Sequence, residues 1–282
     1  MVAKLEKEYP VKKVCRILEV SVSGYYESRH QKSVPPAIEK ELKQVKVKSI
    51  FEENKMRYGS RRIAIELAAQ GIPMCRQQVG RIMRLYKLKA IQPRSFIPRT
   101  TDSSHTIKAA PNLLLGMPRV QAPGTAWVGD ITYIPMTNQR WAYLATWLDL
   151  FTHQIVGWHV DIRMKDELVI KALIKGKRRF PAKKGMIVHS DPGRQYASKR
   201  FRKLLQDNSW IQSMSRKGNV YDNATAESFF SRLKCELIGR KVYESLEELH
   251  NELFEYIENY YNSKRRHSSI NYRTPNEMQK HA

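Results

Sequence analysis

The second half of the chain is patterned as strands that alternate with helices. Three apolar runs rich in β-branched and aromatic residues are separated by short polar turns, at 127–136, 141–151 and 154–162. Runs of this composition predict antiparallel strands joined as hairpins. The pattern then predicts a helix at about 166–179, a strand at 186–191, a helix at about 197–208, a strand at 210–215 and a helix beginning near Ala224. This order, β-β-β-α-β-α-β-α, indicates a mixed sheet with helices packed on its faces.

The first ninety residues are patterned as helices instead. Residues 11–27 predict two short helices with a turn between them, and Ser21 is placed to cap the second helix. This is the arrangement of a small helix-turn-helix, and a helical docking arm is the alternative that the pattern leaves open. After Pro35 and Pro36, a helix of mixed charge is predicted from about Ala37 to Glu53.

Residues 58–90 predict two further helices with a basic outer face. In the first helix, Ser60 is placed as the cap and Gly71 at the end, and the inward positions are Ile63, Ile65 and Leu67. The second runs from Arg76 to Tyr86 with inward residues Val79, Ile82, Met83 and Leu85 and outward residues Arg76, Arg81, Arg84 and Lys87. Three helices with a basic face are typical of a DNA-binding module, although a merely solvated basic face is the alternative.

These patterns divide the chain into five predicted regions. A proline-interrupted stretch without periodicity indicates a linker, and Ser245 with Glu248 predicts a capping box for a helix to about Tyr260. The regions are an N-terminal helix-turn-helix-like arm at 1–34, a helical DNA-binding domain at 35–90, a Pro-rich linker at 91–123, an α/β core at 124–240, and a C-terminal helix with a basic tail at 241–282.

Charge determines the class of partner that such a protein meets. The 282 residues contain 50 Lys and Arg against 27 Asp and Glu, a formal net charge of +23 that is spread over the whole chain. An excess of this size predicts a polyanionic partner, either nucleic acid or a membrane surface. No run of about 18 apolar residues exists and the first residues do not resemble a signal peptide, so no membrane association is expected. We therefore expect a soluble nucleic-acid-binding protein of the cell interior.

The three cysteines add little to this picture. Cys15, Cys75 and Cys235 lie far apart and have no histidine at the spacing of a zinc site. A structural zinc ion is therefore not expected, and scattered thiols are consistent with a reducing cytoplasm.

Three acidic residues are distinguished by their placement. Asp130 lies within a strand that is otherwise apolar or small, Asp191 ends a short strand, and Glu227 lies one turn into a helix. A charge in a central strand is unfavourable unless something compensates it, and three converging carboxylates suit Mg²⁺ or Mn²⁺. Asp149 and Asp161 also lie in or beside strands, and the pattern alone leaves either of them open as the site acid.

The helix that carries Glu227 has one apolar stripe, formed by Ala226, Phe229, Phe230, Leu233 and Leu237. Glu227 lies at the edge of this stripe, and Lys234, seven residues further on, lies on the same side. Both side chains are therefore predicted to face one cleft. Two divalent ions about 4 Å apart in that cleft would activate the attacking oxygen and stabilise the leaving oxygen of a phosphodiester displacement.

In the spacing and sequence of these motifs, the chain resembles the OrfB-type transposases of the insertion-sequence-three family, within the DDE and retroviral-integrase-like superfamily. Sixty residues separate Asp130 from Asp191 and 35 separate Asp191 from Glu227, which is the DD(35)E arrangement of that family. The sequence segments around these residues also match: WVGDITYI, HSDPGRQYAS, GNVYDNATAESFFSRLKCEL and the terminal YNSKRRHSSINYRTPNEM. The helices at 58–90 are similar to the helix-turn-helix that precedes the integrase core. Together the matches cover most of residues 11–280.

The resemblance implies an α/β RNase H-like core, a mixed five-stranded sheet with flanking helices, preceded by all-α helix-turn-helix modules. Asp130, Asp191 and Glu227 are then the catalytic and metal-binding residues for two Mg²⁺ or Mn²⁺ ions. Lys234 matches a basic residue expected to touch the DNA end, with a solvated helix lysine as the alternative. Supporting or helix-capping roles are implied for Asn219, Asp222 and Asn223, and structural roles for His189 and His267.

Further basic residues are predicted to contact DNA because they lie in the helical module or beside the matched motifs. With Lys234, the candidates are Arg61, Arg62, Arg76, Arg81, Arg84, Arg216, Lys217, Arg265 and Arg266.

The implied activity is metal-dependent 3′-end cleavage and strand transfer at the terminal inverted repeats of an insertion sequence, by a copy-out, paste-in route. The expected partners are the element ends and target DNA, further copies of the chain, and an OrfA-type partner or fusion, because residues 1–60 show no heptad zipper. A bacterial, nucleoid-associated location in the cytoplasm is implied. Two rivals stay open: a non-catalytic OrfB-type DNA-binding regulator, and an RNase H-like nuclease that never joins strands.

Overall fold

The computed structural model describes residues 2–30, 36–92, 110–180, 182–216, 223–239 and 241–281. The chain divides into two compact units, Met1–Lys89 and Ala90–Ala282. The predicted linker lies partly outside the described residues. None of the helices in the ranges just given is long and apolar enough to cross a bilayer.

The N-terminal unit begins with three short helices, α1 (Val2–Leu5), α2 (Val11–Ile17) and α3 (Val22–His30). They bury a small apolar cluster of Val2, Val14, Cys15 and Tyr25. Ser21 precedes α3, and its Oγ accepts the N–H of Gly24 at 3.1 Å. The predicted N-cap is therefore confirmed, since this bond satisfies one of the free N–H groups at the helix start.

Three longer helices complete this unit: α4 (Pro36–Glu53), α5 (Ser60–Ala69) and α6 (Arg76–Leu85). Their shared core contains Val47, Ile50, Phe51, Tyr58, Ile63, Leu67, Val79 and Met83. Gly71 follows α5 at φ +76°, a left-handed conformation that glycine adopts without strain, so it ends the helix as predicted. Ser60 is the first helical residue rather than the cap, because Gly59 occupies the cap position.

The predicted burial of Leu85 is wrong. Its side chain is 65% exposed, whereas the next residue, Tyr86, faces α4. The Tyr86 hydroxyl donates to Gln44 Oε1 at 2.6 Å, and Lys48 Nζ lies 3.4 Å from the centre of its ring. At 100° per residue Leu85 points away from Val79, so the inward stripe of α6 passes through Tyr86 instead.

The second unit is built on a five-stranded sheet whose strands follow the order β3-β2-β1-β4-β5. The strands are β1 (Ala126–Pro135), β2 (Trp141–Asp149), β3 (Ile155–Asp161), β4 (Ile187–Ser190) and β5 (Ile211–Met214). The first three pair as antiparallel hairpins, and β4 and β5 join them in parallel. The predicted mixed five-stranded sheet is confirmed.

One face of the sheet is covered by α7 (Asp166–Arg179) and α8 (Lys199–Asp207). A close contact with α7 depends on Gly157, because a Cβ there would lie 2.2 Å from the carbonyl oxygen of Ala172. The core on this side is largely aromatic and includes Trp127, Trp147, Tyr196, Phe201 and Trp210.

The remaining helices are α9 (Ala224–Leu233), which contacts β1, α10 (Leu246–Phe254), which contacts β3, and α11 (Pro275–Lys280). The first two continue as π-helical segments over Lys234–Ile238 and Glu255–Tyr261. The Oγ of Ser245 accepts the N–H of Glu248 at 3.0 Å, which confirms Ser245 as the cap of α10.

Residues 241–281 pack against the sheet rather than extend as a basic tail. The side-chain amide of Asn262 donates to the carbonyl oxygen of Ile155 and accepts its N–H, each at 3.0 Å. Trp158 Nε1 donates to Glu258, and Gln154 donates to Asn276. These bonds satisfy polar groups along β3, the outer strand of the sheet, and so attach the C-terminal segment to it.

Candidate active site

Asp130 and Asp191 lie side by side where the pairing of β1 with β4 ends. The last paired residues are Gly129 and Ser190; Asp130 continues β1, where it pairs with Thr146 of β2, and Asp191 directly follows β4. Neighbouring strands lie about 4.8 Å apart, so the register brings together two carboxylates that are sixty residues apart in the chain. Proximity of these two predicted site residues is therefore a property of the fold.

The surroundings of the two aspartates disfavour their charged forms. Asp130 Oδ1 accepts the N–H of Ile131 at 2.7 Å, and Asp191 Oδ1 accepts the N–H of Gly193 at 3.2 Å. Burial, followed by the charge of Asp191, raises the pKa of Asp130 to about 8. Burial also raises the pKa of Asp191, against the opposing effect of the Gly193 N–H. A cation between them would relieve both effects, because it favours the ionised forms.

Glu227 lies in the first turn of α9, and its side chain is exposed. Its charge contributes to the raised pKa of Asp130, and partial burial raises the pKa of Glu227 itself. Asn223, at the cap position of α9, forms no side-chain cap bond. Its Nδ2 instead donates to the carbonyl oxygen of Gly129 at 3.4 Å, which links the start of α9 to the residue before Asp130.

Lys234 begins the π-helical segment that follows α9, and its side chain is half-buried. Burial lowers the pKa of Lys234, and the negative charge of Asp130 opposes this change. The interaction is mutual, since Lys234 also lowers the pKa of Asp130. The structure thus brings the predicted DNA-contacting lysine within electrostatic reach of the aspartates.

The donor set of the two aspartates suits a divalent cation. Asp130, within β1, and Asp191, directly after β4, offer oxygen donors only, and their negative charges repel each other. Oxygen donors are what Mg²⁺ and Mn²⁺ prefer, and a cation would offset the repulsion. Within the described ranges, however, no three His, Cys, Asp or Glu side chains are arranged to hold a metal ion together. The pair of aspartates therefore fits such an ion, and the participation of Glu227 stays a prediction.

The structure decides against the two alternative strand acids. Asp149 is buried and accepts five hydrogen bonds, from Gly124 N, Trp127 Nε1, Phe151 N, Thr152 N and Thr152 Oγ1. Asp161 ends β3, on the opposite side of the sheet from β4, and accepts the N–H of Arg163 at 3.1 Å. The first carboxylate is occupied by protein donors and the second is remote from Asp191.

The predicted DNA contacts fall into different environments. The side chains of Arg61, Arg76, Arg81, Arg84 and Arg216 are exposed. Arg62 is half-buried with its guanidinium 5.7 Å from the ring of Tyr58, and Arg266 donates to the carbonyl oxygen of Tyr272. Lys217, Asn219 and Asp222 lie outside the described residues.

Arg265 was predicted to contact DNA, but its side chain is buried. Its side chain is 2% exposed, and its guanidinium forms a bidentate pair with Glu236, with NH2 2.6 Å from Oε1 and Nε 3.0 Å from Oε2. Tyr256 donates its hydroxyl to the same carboxylate at 3.0 Å. The prediction that Arg265 contacts DNA is corrected, because a guanidinium in this position balances a buried charge and does not reach a phosphate at the surface.

The two histidines named from the motifs occupy the interior. His189 is buried on β4, with Nδ1 2.8 Å from Ser213 Oγ and Nε2 3.0 Å from Ser215 Oγ. His267 packs edge-on against Tyr261 with ring centres 4.6 Å apart. Both positions are consistent with the predicted structural roles.

Two features of the second unit were missed by the sequence analysis. One is the buried pair of Glu236 and Arg265, which are 29 residues apart in the chain, a separation at which no local pattern reveals a pair. The other is the exposure of Tyr133 and Trp141, which were counted only as strand composition.

Comparison with known proteins matches residues 120–220 and 209–275 to the integrase core domain and residues 37–96 to an HTH-like domain. The transposase for insertion sequence element IS904 of Lactococcus lactis is 38% identical over 252 residues, which cover 89% of this chain and 99% of that protein. Transposase InsF for IS3A of Escherichia coli K12 is 36% identical over 270 residues, covering 95% and 93%. The HTLV-2 integrase catalytic core, solved in complex with magnesium, covers 56% of this chain and 97% of its own at 14% identity and a TM-score of 0.41.

Proposed function

The chain belongs to the transposases of IS3-family insertion sequences, and we propose that it cuts and joins DNA strands at Asp130, Asp191 and Glu227. It is a transposase with an integrase core domain and an HTH-like domain. The observation that carries the proposal is the register of β1 and β4, which sets Asp130 beside Asp191. Burial, followed by the charge of Asp191, raises the pKa of Asp130 to about 8. Such a pair is suited to cation binding and poorly suited to a merely structural role.

Asp130 and Asp191, joined by Glu227, are the residues that would hold Mg²⁺ or Mn²⁺. A pair of such ions supplies activation of the attacking oxygen and stabilisation of the leaving oxygen in an in-line phosphodiester displacement. The chain's own contribution is to keep two carboxylates adjacent in a half-buried position where water competes weakly for them. Lys234, within reach of Asp130, would contact a phosphate oxygen of the bound strand.

The reaction consists of two displacements at phosphorus. In the first, water attacks the phosphodiester at an element end; the bond to the 3′ oxygen breaks, and a 3′-OH is released. In the second, that 3′-OH attacks another phosphodiester, one P–O bond forms as another breaks, and the attacking hydroxyl's proton is released. Bond number is conserved in the joining step, so neither ATP nor a covalent enzyme intermediate is required. In the copy-out route the first joining unites the two element ends and leads to a circular intermediate.

End recognition is assigned to the helical module. The exposed arginines of α6, Arg76, Arg81 and Arg84, lie on one short helix that follows α5 after a turn, which is the arrangement of a helix-turn-helix. Phosphate contacts from such residues supply affinity, and base contacts supply sequence preference. Because two element ends must be held together, the active form is an assembly of two or more copies on DNA, alone or with an OrfA-type partner.

A strand-transfer assay tests this function. A labelled duplex that carries the inverted repeat is incubated with Mg²⁺ or Mn²⁺ and with the wild type, Asp191→Asn or the matched control Asp161→Asn. We expect joined products with the wild type and the control, and none with Asp191→Asn. Cleavage without joining would favour the nuclease alternative or a missing partner, which an OrfA fusion would distinguish. Equal DNA binding by all three proteins without any cleavage, even in the fusion, would favour the non-catalytic regulator.

A further inference from the structure

The helix that carries Glu227, α9, is held from behind by the C-terminal segment. Glu236 lies in the π-helical continuation of α9 and forms a bidentate ion pair with Arg265. Their side chains are 5% and 2% exposed, and Tyr256 donates its hydroxyl to the same carboxylate at 3.0 Å. We call Glu236, Tyr256 and Arg265 the Glu236 cluster. It connects α9 to residues that lie 20 and 29 positions further along the chain.

The Glu236 cluster and the proposed active-site residues lie on opposite sides of α9. Glu236 follows Glu227 by nine positions, which at about 100° per residue is about two and a half turns. Lys234 follows Glu227 by seven positions, which is about two complete turns, and therefore lies on the same side as Glu227. The ion pair thus holds the back of the helix, while Glu227 and Lys234 project from its front.

An aromatic contact holds the back of α9 at a second point. The ring of Phe229 lies edge-on to that of Tyr261, with ring centres 4.8 Å apart. Tyr261 belongs to the same π-helical segment as Tyr256 of the cluster. At the start of the helix, the side chain of Asn223 links α9 to β1. Two contacts behind the helix, together with this link at its start, determine how α9 is rotated about its own axis.

Burial of apolar surface does not require an ion pair at this place. The back of α9 already contributes Phe229 and Leu233 to the core, and the C-terminal segment contributes Ile257. Removing two charges from water is unfavourable, and apolar side chains of similar volume are often at least as stable in such surroundings. A bidentate pair of guanidinium and carboxylate is directional, however, whereas apolar contact is not. The Glu236 cluster is therefore better suited to fixing an orientation than to adding stability.

We propose that the Glu236 cluster positions the active site by fixing the rotation of α9. Its three residues are buried and act through the helix, directing Glu227 at the cation and Lys234 at the bound strand. This inference rests on the proposed function. Side-chain ends lie about 5–6 Å from a helix axis, so a rotation of about 10° moves them by about 1 Å. An error of about 1 Å in the reacting geometry can reduce a rate about 100-fold.

The test compares variants of the full chain that differ in the cluster. An apolar variant combines Glu236→Leu, Tyr256→Phe and Arg265→Met, which fill the space without a charge or an unpaired hydroxyl. Arg265→Lys keeps the charge and loses the planar fork. The control is Trp158→Phe, which removes a hydrogen bond between β3 and Glu258 and so weakens the attachment of the same C-terminal segment at another place.

Four quantities are measured for each protein: the urea midpoint, the affinity of the protein alone for Mn²⁺, the dissociation constant for the inverted-repeat duplex without divalent ions, and the joining rate at saturating duplex with Mg²⁺. Glu227→Gln serves as the reference for the Mn²⁺ affinity of a site that lacks this carboxylate. Affinity for Mn²⁺ reports on Glu227 without any reaction, and the joining rate reports on Glu227 and Lys234 together.

The apolar variant should unfold near the urea midpoint of the wild type and bind the duplex within about threefold, because end recognition is assigned to the helical module. Its joining rate at saturating duplex and its Mn²⁺ affinity should each fall about 10- to 100-fold, the affinity towards that of Glu227→Gln. Arg265→Lys should show a smaller loss in the same direction. Trp158→Phe should lower the urea midpoint and leave the joining rate and the Mn²⁺ affinity within about twofold.

A folded apolar variant that joins DNA and binds Mn²⁺ as the wild type does would overturn the inference, because the cluster would then only fill space. An equal loss of joining in Trp158→Phe would overturn it as well, since lowered stability would explain both. If the apolar variant does not fold, Arg265→Lys provides the same comparison. A lower joining rate at unchanged Mn²⁺ affinity would support the inference through Lys234 alone.

Failure of the proposed function gives a different result. In that case the wild type neither cuts nor joins DNA, even as an OrfA fusion. A lower Mn²⁺ affinity in the apolar variant would then still support the positioning of Glu227 and count against the proposed function. An affinity equal to that of the wild type would count against both.

Discussion

Asp130 and Asp149 are both acids of neighbouring strands, and their surroundings give them opposite roles. The carboxylate of Asp149 accepts five hydrogen bonds from four residues that fold around it. Asp130 accepts the N–H of Ile131 and is adjacent to a second negative charge at Asp191. A buried carboxylate is stable in its charged form when donors surround it, as they do Asp149. Asp130 lacks such donors, so either a proton or a cation must offset its charge.

This contrast predicts a metal-dependent stabilisation. At a concentration about 100-fold above its dissociation constant, Mg²⁺ should stabilise the wild type by about 2.7 kcal/mol relative to EDTA, because it binds the folded carboxylate pair. Asp130→Asn and Asp191→Asn should lose most of this gain, whereas Asp161→Asn should keep it. Thermal unfolding with and without Mg²⁺ measures the difference. An equal gain in Asp130→Asn would show that the ion binds elsewhere.

His159 on β3 predicts a pH effect on stability. Neither ring nitrogen has a hydrogen-bond partner within the described part of the chain, and burial, followed by Lys175 and Lys171, lowers the pKa of His159 to about 4. Between about pH 6.5 and 4 the unfolded chain therefore binds more protons at this residue than the folded chain, and stability falls as the pH is lowered.

The measurement for His159 is the urea midpoint at pH 7 and at pH 5. The wild type should lose more stability over this interval than His159→Gln, which has no group to protonate. If both proteins fall in parallel, the acid sensitivity arises from other groups.

At the scale of elements, the sheet and its helices meet through close backbone contacts. The Cβ that alanine would add at Gly157 lies 2.2 Å from the carbonyl oxygen of Ala172 and 2.7 Å from the backbone nitrogen of Gly176. These are backbone atoms of α7, which cannot move aside as a flexible side chain does. The packing of α7 on β3 therefore depends on the absence of a side chain at this position.

Gly157→Ala should lower the free energy of unfolding by at least about 2 kcal/mol, because α7 must shift away from β3. Gly59→Ala is the control, since its added Cβ meets nothing within 4 Å and its φ of −88° suits any residue. Urea unfolding of the full chain checks both variants. A fully stable Gly157→Ala would mean that α7 and β3 are farther apart than the structure has them.

At the scale of the whole molecule, the excess positive charge serves DNA binding only where it reaches the surface. Arg76 and Arg81 are exposed on α6, whereas Arg265 is buried against Glu236. Counting basic residues therefore overestimates the charge that phosphates meet. Each exposed arginine that contacts a phosphate adds to the salt dependence of binding, and a buried one does not.

Arg76→Ala and Arg81→Ala should each reduce the slope of log affinity against log salt by about 0.9 if the side chain contacts a phosphate. Arg265→Met should leave the slope unchanged and lower the free energy of unfolding by about 3–5 kcal/mol, because Glu236 would stay buried without its partner. Fluorescence anisotropy over a salt series, together with urea unfolding, separates the two effects. If Arg265→Met is folded and its slope of log affinity against log salt is reduced, Arg265 contacts DNA after all.

The amino-acid sequence by itself determined the five strands, most of the helices and the capping role of Ser21, although α1 and α11 were not predicted. It also determined the family, through the spacing of Asp130, Asp191 and Glu227 within matching motifs. These signals are local: strand and helix periods and caps depend on residues only a few positions apart. Even for a single helix, local periodicity was not sufficient: it placed Leu85 in the interior, whereas the structure places Tyr86 there. The reason is that packing against α4 decides which face of α6 turns inward.

Only the tertiary structure decided which polar residues are satisfied and which are left for a ligand. The pairing of β1 with β4 sets Asp130 beside Asp191, donors from three parts of the chain surround Asp149, and Glu236 buries Arg265. The free energy of a buried charge depends on neighbours brought together from distant positions, and that information exists only once the chain has folded.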